Sequence, residues 1–140
     1  MSEFTVTIIL PPKISKSGRK HKLRVPADFT CATGIRPHKH IETPYLRMTK
    51  TGELTCKKNY AIDGSSGAAD TLNSIEPAFV HDALCQLIRT GHLPMSALGP
   101  ANDLYRDLCM ARGMASFRAK ARRLGLRIGS KRAVRKGKAT

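Results

Sequence analysis

A histidine followed by an aspartate, His81-Asp82, lies inside an apolar segment of the 140-residue chain. A carboxylate that holds one nitrogen of an imidazole ring leaves the other nitrogen able to take a proton from water, which is how a general base works. Asp103 and Asp107, further along the sequence, are the carboxylates that could play this part. The alternative is a core histidine whose polar ring is simply satisfied by a neighbouring carboxylate. The residue types leave both roles open.

Asp82 is a candidate for binding a cation, and a turn at residues 63–67 is a candidate for binding a ligand. Asp82 projects about 100° round a helix from His81, so it would be available to a cation or to a helix-capping partner. The turn reads Asp63-Gly-Ser-Ser-Gly67. Its two glycines and small hydroxyl residues allow backbone amides or carbonyls to converge on a ligand, although such stretches are more often ordinary turns.

The spacing of apolar residues predicts that His81 lies on a helix, beside the buried face. The apolar positions with helical period are Val80, Leu84, Leu87 and Ile88. Ser74 is the predicted N-cap of this helix and Gly91 its predicted stop. A second helix is predicted to open at Pro100 and to end at Gly113. Its predicted buried stripe consists of Leu104, Leu108 and Ala111.

The formal net charge of +15 is unevenly distributed, since residues 111–140 contain many Lys and Arg and no Asp or Glu. A third helix is predicted from about Ser116, with Phe117, Ala121, Leu124 and Ile128 facing inward. The side chains predicted to bind anions are Arg118, Arg122, Arg123, Arg127, Lys131 and Arg132. Such a helix predicts an anionic partner, namely nucleic acid, anionic phospholipid or an acidic protein surface. The alternative is a tail that only keeps the protein soluble.

The N-terminal half shows strand patterns. Residues 4–10 alternate and are β-branched, residues 22–25 fit a short strand, and residues 45–49 and 53–57 fit a hairpin with a Gly-containing turn. Residues 27–44 show no period. The predicted fold class is α+β: a small antiparallel β-sheet in the N-terminal half, followed by an antiparallel helical hairpin and a basic C-terminal helix with a tail. We expect one compact domain over residues 1–128 and a flexible basic tail over residues 129–140.

The cysteine usage is typical of a protein that keeps its thiols reduced. The four cysteines, at positions 31, 56, 85 and 109, include no C-x-x-C pair, so we expect reduced thiols in or near the core. No span approaches the roughly 20 apolar residues of a membrane helix, and the N-terminus lacks the layout of a signal peptide. We therefore expect no transmembrane segment and synthesis in a cytoplasm.

The order of three motifs resembles a family of uncharacterised tailed-phage proteins. The motifs are Asp63-Gly-Ser-Ser66, His81-Asp82 and Asp103-Leu-Tyr105, between a β-rich first half and a basic end, over roughly residues 25–128. This resemblance implies a protein of the phage virion, in the tail or elsewhere in the particle. It would be made in the cytoplasm of the bacterial host and would contact other virion proteins.

The two helices also resemble the secretory and viral phospholipase A(2) superfamily. The matching positions are His81-Asp82, Gly91, Pro94 and Pro-Ala-Asn-Asp at 100–103. This resemblance implies a hydrolase in which His81 is the catalytic base and Asp103 orients it. It further implies a calcium ion held by Asp82, Asp63 and Gly64. The expected function is a membrane-active hydrolase carried by a phage particle, and the alternative is a non-catalytic structural or adaptor protein whose basic face binds acidic protein or nucleic acid.

Overall fold

The structure is a computed structural model that describes the backbone of residues 14–17, 20–63 and 72–136 and the side chains of residues 24–62 and 75–126. The chain divides into two compact units, Met1–Asp70 and Thr71–Thr140. The described strands belong to the first unit and the described helices to the second. This arrangement confirms the predicted α+β class, with antiparallel sheet ahead of helices. The single domain over residues 1–128 stays a prediction.

Seven short strands are described in the N-terminal unit. They are β1 (Ile14–Ser17), β2 (Lys20–Arg24), β3 (Phe29–Ala32), β4 (Ile41–Glu42), β5 (Leu46–Met48), β6 (Glu53–Cys56) and β7 (Ala61–Asp63). They form two antiparallel sheets, of order β1-β2-β7 and β3-β6-β5-β4. Strand β3 shows the alternation of a half-buried strand, because Phe29 and Cys31 are buried while Thr30 and Ala32 are exposed. Thr30 lies opposite Thr55 on β6, and their hydroxyls are 2.8 Å apart.

The predicted hairpin is confirmed, since β5 and β6 pair with Met48 opposite Leu54. Strand β2 overlaps the short strand predicted at residues 22–25. Strands β3 and β4 lie in the segment without a detectable period, and β1 lies between the two segments predicted as strands at residues 4–10 and 22–25. The strand predicted at residues 4–10 and the turn residues 64–67 lie outside the described residues.

Three long helices make up the described part of the C-terminal unit. They are α1 (Leu72–Arg89), α2 (Leu98–Ala111) and α3 (Ser116–Lys136), with a 3-10 turn at Met95–Ala97 ahead of α2. Helix α1 begins before Ser74, so the prediction of Ser74 as N-cap is wrong and Pro77 lies inside the helix. Helix α3 begins at the predicted Ser116 and extends to Lys136, through much of the segment predicted as a tail.

The ends of α1 and α2 are set by glycines, as predicted. Gly91 has φ 84° and Gly113 has φ 99°, a backbone conformation that side chains with a Cβ rarely adopt. The residue after each glycine donates its N–H back into the last turn of the helix, His92 to the Leu87 carbonyl at 2.8 Å and Met114 to the Cys109 carbonyl at 3.0 Å. This pattern is the Schellman motif, which satisfies the last carbonyls and turns the chain sharply.

Each of the three helices packs against the other two. The predicted inner face of α1 is confirmed, because Val80, Leu84, Leu87 and Ile88 are all buried. The predicted inner face of α2 is wrong except at Leu108, since Leu104 is only part-buried and Ala111 is exposed. The residues that α2 buries are Leu98, Ala101, Asn102, Tyr105, Leu108 and Cys109.

All four cysteines are buried and reduced, which confirms that prediction. None of the helices in the described part of the chain is both long enough and apolar enough to span a membrane.

Candidate functional site

His81 is buried in α1, with 3% of its surface exposed, and its ring faces α2. Its Nε2 lies 2.7 Å from Oδ1 of Asn102. A carbonyl oxygen only accepts hydrogen bonds, so Nε2 carries the hydrogen and Nδ1 is left as an acceptor. The Cys85 Sγ, one turn along α1, lies 3.8 Å from Nδ1 and can donate its S–H there. The ring is therefore held as a neutral imidazole.

The edge of the His81 ring contacts a second aromatic side chain, Tyr105 of α2. The ring centroids are 5.7 Å apart with an interplanar angle of 67°. The Tyr105 hydroxyl accepts a hydrogen bond from Arg122 Nη1 of α3 at 3.4 Å. Tyr105 thus lies in contact with both neighbouring helices. Every buried side-chain nitrogen or oxygen within the described residues has a hydrogen-bond partner, so the cluster is satisfied as it stands.

Burial decides the protonation of this cluster. It lowers the pKa of His81, and the hydrogen bond that His81 donates to Asn102 opposes that shift only in part. Burial likewise raises the pKa of Tyr105 and that of the Cys109 thiol. At neutral pH the His81 imidazole, the Tyr105 phenol and the Cys109 thiol are therefore all uncharged.

The structure does not bring Asp103 to His81, although the phospholipase resemblance implies that pairing. Asp103 Oδ1 instead accepts a hydrogen bond from Arg123 Nε of α3 at 2.5 Å. Asp107, the other candidate, is exposed and pairs with Arg106 at 2.9 Å. The physical reason is the way α2 is rotated about its own axis. Asn102 points toward His81 of α1, and because consecutive residues on a helix point about 100° apart, Asp103 points away from His81. His81 thus pairs with the amide of Asn102, and the predicted pairing of His81 with a carboxylate is wrong.

The calcium ligands that the resemblance implies lie only partly within the described residues. Asp82 is part-buried on α1. The backbone of Asp63 pairs with Lys22 in the sheet between β2 and β7, but its side chain and all of Gly64 lie outside the described residues. Among the side chains that the structure describes, no three His, Cys, Asp or Glu residues come together as a metal would require. Calcium binding stays a prediction.

Helix α3 turns a different face to α2 from the predicted one. Ala119 is fully buried, and Arg122 and Arg123 are part-buried with partners on α2. Phe117, predicted to face inward, is 79% exposed, and Leu124 is 61% exposed. Ala121 is exposed as well. The prediction for the inner face is wrong for these three residues.

Two features of α2 explain this rotation of α3. The carboxylate of Asp103 and the hydroxyl of Tyr105 offer acceptors to Arg123 and Arg122. Arginine can lay its aliphatic stem along an apolar surface while its guanidinium reaches such an acceptor. The small Ala119 side chain lets the helices approach closely at the same face.

The predicted anion-binding residues therefore fall into three groups. Arg118 is exposed, as predicted. Arg122 and Arg123 face α2, so their predicted outward position is wrong. The side chains of Arg127, Lys131 and Arg132 lie outside the described residues. Lys120, which the sequence prediction left out, is exposed as well.

Sequence reasoning missed Asn102 and Tyr105 as members of the buried cluster. A signal for them exists, because Leu98, Ala101, Tyr105 and Leu108 recur with helical period and Asn102 lies beside that stripe. The stripe built on Leu104 competes with it and contains equally apolar residues. Only the partner helix decides between the two.

No model of a known protein family, no curated protein and no solved structure matches the chain. Function therefore has to be argued from two features: a closed, neutral His81 cluster between α1 and α2, and a solvent-facing side of α3 that combines cations with apolar side chains.

Proposed function

We propose that the protein is a non-catalytic adaptor that binds an anionic partner through helix α3. The observation that carries the proposal is the charge of this region: Lys and Arg recur along Ser116–Lys136, and residues 111–140 contain no Asp or Glu. Asp103 offsets Arg123, but Arg118 and Lys120 are exposed to solvent. A surface of this charge attracts polyanions, with an affinity that falls as salt rises.

The environment of His81 supports a structural role for this residue. A general base needs access to its substrate or to water and a pKa near the working pH. His81 is almost fully buried, and burial lowers its pKa. Its orienting partner is the uncharged amide of Asn102, which cannot stabilise an imidazolium as a carboxylate would. These features favour the adaptor over the hydrolase.

We further propose a tailed-phage particle as the setting of this adaptor. The support is the order of Asp63-Gly-Ser-Ser66, His81-Asp82 and Asp103-Leu-Tyr105 in the sequence. Mass spectrometry of purified particles would show the chain at a fixed ratio to the major structural proteins. Its absence from such particles would contradict this setting without bearing on anion binding.

Salt-dependent binding of the full chain to heparin and to a fluorescent DNA duplex tests the adaptor proposal. The double variant Arg118→Gln/Lys120→Gln should bind more weakly, with a salt slope smaller by about one to two. The matched control is Arg36→Gln/Lys39→Gln, which removes two exposed cations from the N-terminal unit. The control should bind as the parent does. Equal losses in the two variants would refute the proposal, and so would a parent that binds none of heparin, DNA and anionic lipid vesicles at low salt.

A further inference from the structure

The solvent-facing side of α3 is not only basic. Phe117 and Leu124 are 79% and 61% exposed and lie about two turns apart, so their side chains emerge on one side of the helix. Ala121, between them, is exposed too. We name this set, Phe117, Ala121 and Leu124, the apolar stripe. The sequence continues its spacing with Ile128, four residues after Leu124.

Cations border the apolar stripe. Arg118 and Lys120 are exposed on either side of Phe117, about 100° and 60° round the helix from it. The opposite face of α3 is occupied, since Ala119 is fully buried and Arg122 and Arg123 reach acceptors on α2. The rotation of α3 is therefore fixed by contacts within its own unit. Gly125, just after the stripe, borders open space, because a Cβ added there would meet no atom within 4 Å.

We infer that the apolar stripe and its flanking cations bind the interfacial region of an anionic lipid bilayer, with α3 lying in the membrane plane. This inference rests on the proposed function and names the class of anionic partner. Apolar side chains bordered by Lys and Arg on one helix face are what an interfacial helix presents to a bilayer. The cations are attracted to anionic headgroups, and the apolar groups enter the boundary below them.

The apolar stripe is what distinguishes a lipid surface from nucleic acid. Binding to nucleic acid without base stacking rests on phosphate contacts, in which the side chains of Leu124 and Ala121 take no part. Insertion into a lipid interface removes those same side chains from water, which is favourable in proportion to the apolar area buried. The positive charge then adds to the apolar contribution and selects bilayers that contain anionic lipid.

The test is co-sedimentation of the full chain with vesicles of phosphatidylcholine, with and without added phosphatidylglycerol. The parent should bind the anionic vesicles and not the neutral ones. Phe117→Ser/Leu124→Ser should weaken that binding about tenfold or more, because each side chain contributes only when it leaves water. Ala121→Leu, which enlarges the apolar stripe, should tighten it. The matched control is Tyr45→Ser/Met95→Ser, which removes two large exposed apolar side chains elsewhere and should change nothing.

A tryptophan reporter gives a second measurement that does not depend on losing affinity. The chain contains no Trp, so Leu124→Trp introduces a single fluorophore on the apolar stripe. Its emission should shift to the blue with anionic vesicles, while that of Tyr45→Trp should not. Far-UV circular dichroism checks each variant for folding.

DNA binding by the same proteins separates this inference from the proposal on which it rests. Retained DNA binding by Phe117→Ser/Leu124→Ser, together with lost vesicle binding, supports both. If the parent binds DNA but no vesicle, or if the double variant binds vesicles as the parent does, the lipid inference is overturned and the adaptor proposal stands. If the parent binds neither, both fail.

Discussion

The two neighbours of helix α2 contact it through opposite kinds of chemistry. On the α1 side the contact is buried and neutral, with the His81 imidazole against the Asn102 amide and the Tyr105 ring. On the α3 side the contact is charged and open to water, with Arg123 and Asp103 paired while 27% and 47% of their side chains remain exposed. Asn102 and Asp103 are consecutive residues, so 100° of helix rotation separates the two kinds of contact.

The difference shows how burial selects the partner of each side chain. A carboxylate facing His81 would have to lose its hydration, a cost that an ion pair often fails to recover in a core. An amide supplies the hydrogen bond without a net charge. At the half-exposed Asp103 position water still solvates the carboxylate, so the ion pair with Arg123 is tolerated and contributes little.

Truncation of Tyr105 should produce the largest effect, because this side chain is fully buried and contacts both neighbours of α2. Tyr105→Ala should lower the free energy of unfolding by about 3–5 kcal/mol, as expected for removing a buried aromatic ring. Urea denaturation followed by circular dichroism measures the loss. Tyr105→Phe is the control, since it keeps the ring against His81 and removes only the hydroxyl. A loss in Tyr105→Phe as large as that in Tyr105→Ala would contradict the role given to the ring.

A matched pair of neighbouring substitutions tests the comparison directly. Asn102→Leu keeps a similar volume but leaves the His81 N–H without its acceptor, so the free energy of unfolding should fall by about 1–3 kcal/mol. Asp103→Asn removes the charge that pairs with Arg123, at a half-exposed position, and should cost about 1 kcal/mol or less. Only the second loss should shrink in high salt, because salt screens exposed ion pairs. If Asp103→Asn proved the more damaging of the two, the buried pair would not be the main contact of α2.

The sequence predicts those features that depend on local chemistry. Gly91 and Gly113 end their helices because the residue after the last turn needs a positive φ, and that requirement is visible in the residue type. The inner face of α1 is visible in part, since the predicted stripe of Val80, Leu84, Leu87 and Ile88 is buried, while Phe79 and Ala83 extend the buried face beyond it. The β5–β6 hairpin follows from its turn residues and alternation.

The rotation of α2 and of α3 could not be predicted in the same way. Helix α2 has two stripes of similar apolar character, and the choice between them depends on α1 and α3 rather than on α2. Helix α3 is harder still, because arginines are usually assigned to solvent by their charge. Arg122 and Arg123 turn inward only because Tyr105 and Asp103 accept their hydrogen bonds, and that fact belongs to another part of the chain. The residue types left Asp103 and Asp107 open as the partner of His81, and the phospholipase resemblance implied Asp103, but the rotation of α2 places Asn102 there.

Glu76 of α1 pairs with Arg112, the residue that follows α2, and this charged contact should make stability depend on pH. Burial raises the pKa of Glu76 to about 7, against the opposing charge of Arg112, from an unfolded value of 4.5. The folded chain therefore holds this proton more tightly than the unfolded chain does. Its contribution to stability is complete below pH 4.5 and is lost as the pH rises through about 7.

Glu76→Gln should remove that loss of stability. We expect the loss to be roughly 1–2 kcal/mol, because one pKa unit is worth about 1.4 kcal/mol and the carboxyl is only part-buried.

His81 acts in the opposite sense. Burial lowers its pKa from 6.5, so its contribution to stability is present above pH 6.5 and is lost as the pH falls below that value. Urea denaturation of the parent and of Glu76→Gln side by side, from pH 4.5 to 8, isolates Glu76, because His81 contributes equally to both proteins and cancels in the difference. Arg112→Gln should move the loss to higher pH, because Arg112 lowers the pKa of Glu76. A stability difference between the parent and Glu76→Gln that stays flat from pH 4.5 to 8 would mean that Glu76 stays ionised beside Arg112, and the charged contact would then belong with the Asp103–Arg123 pair rather than with the buried side of α2.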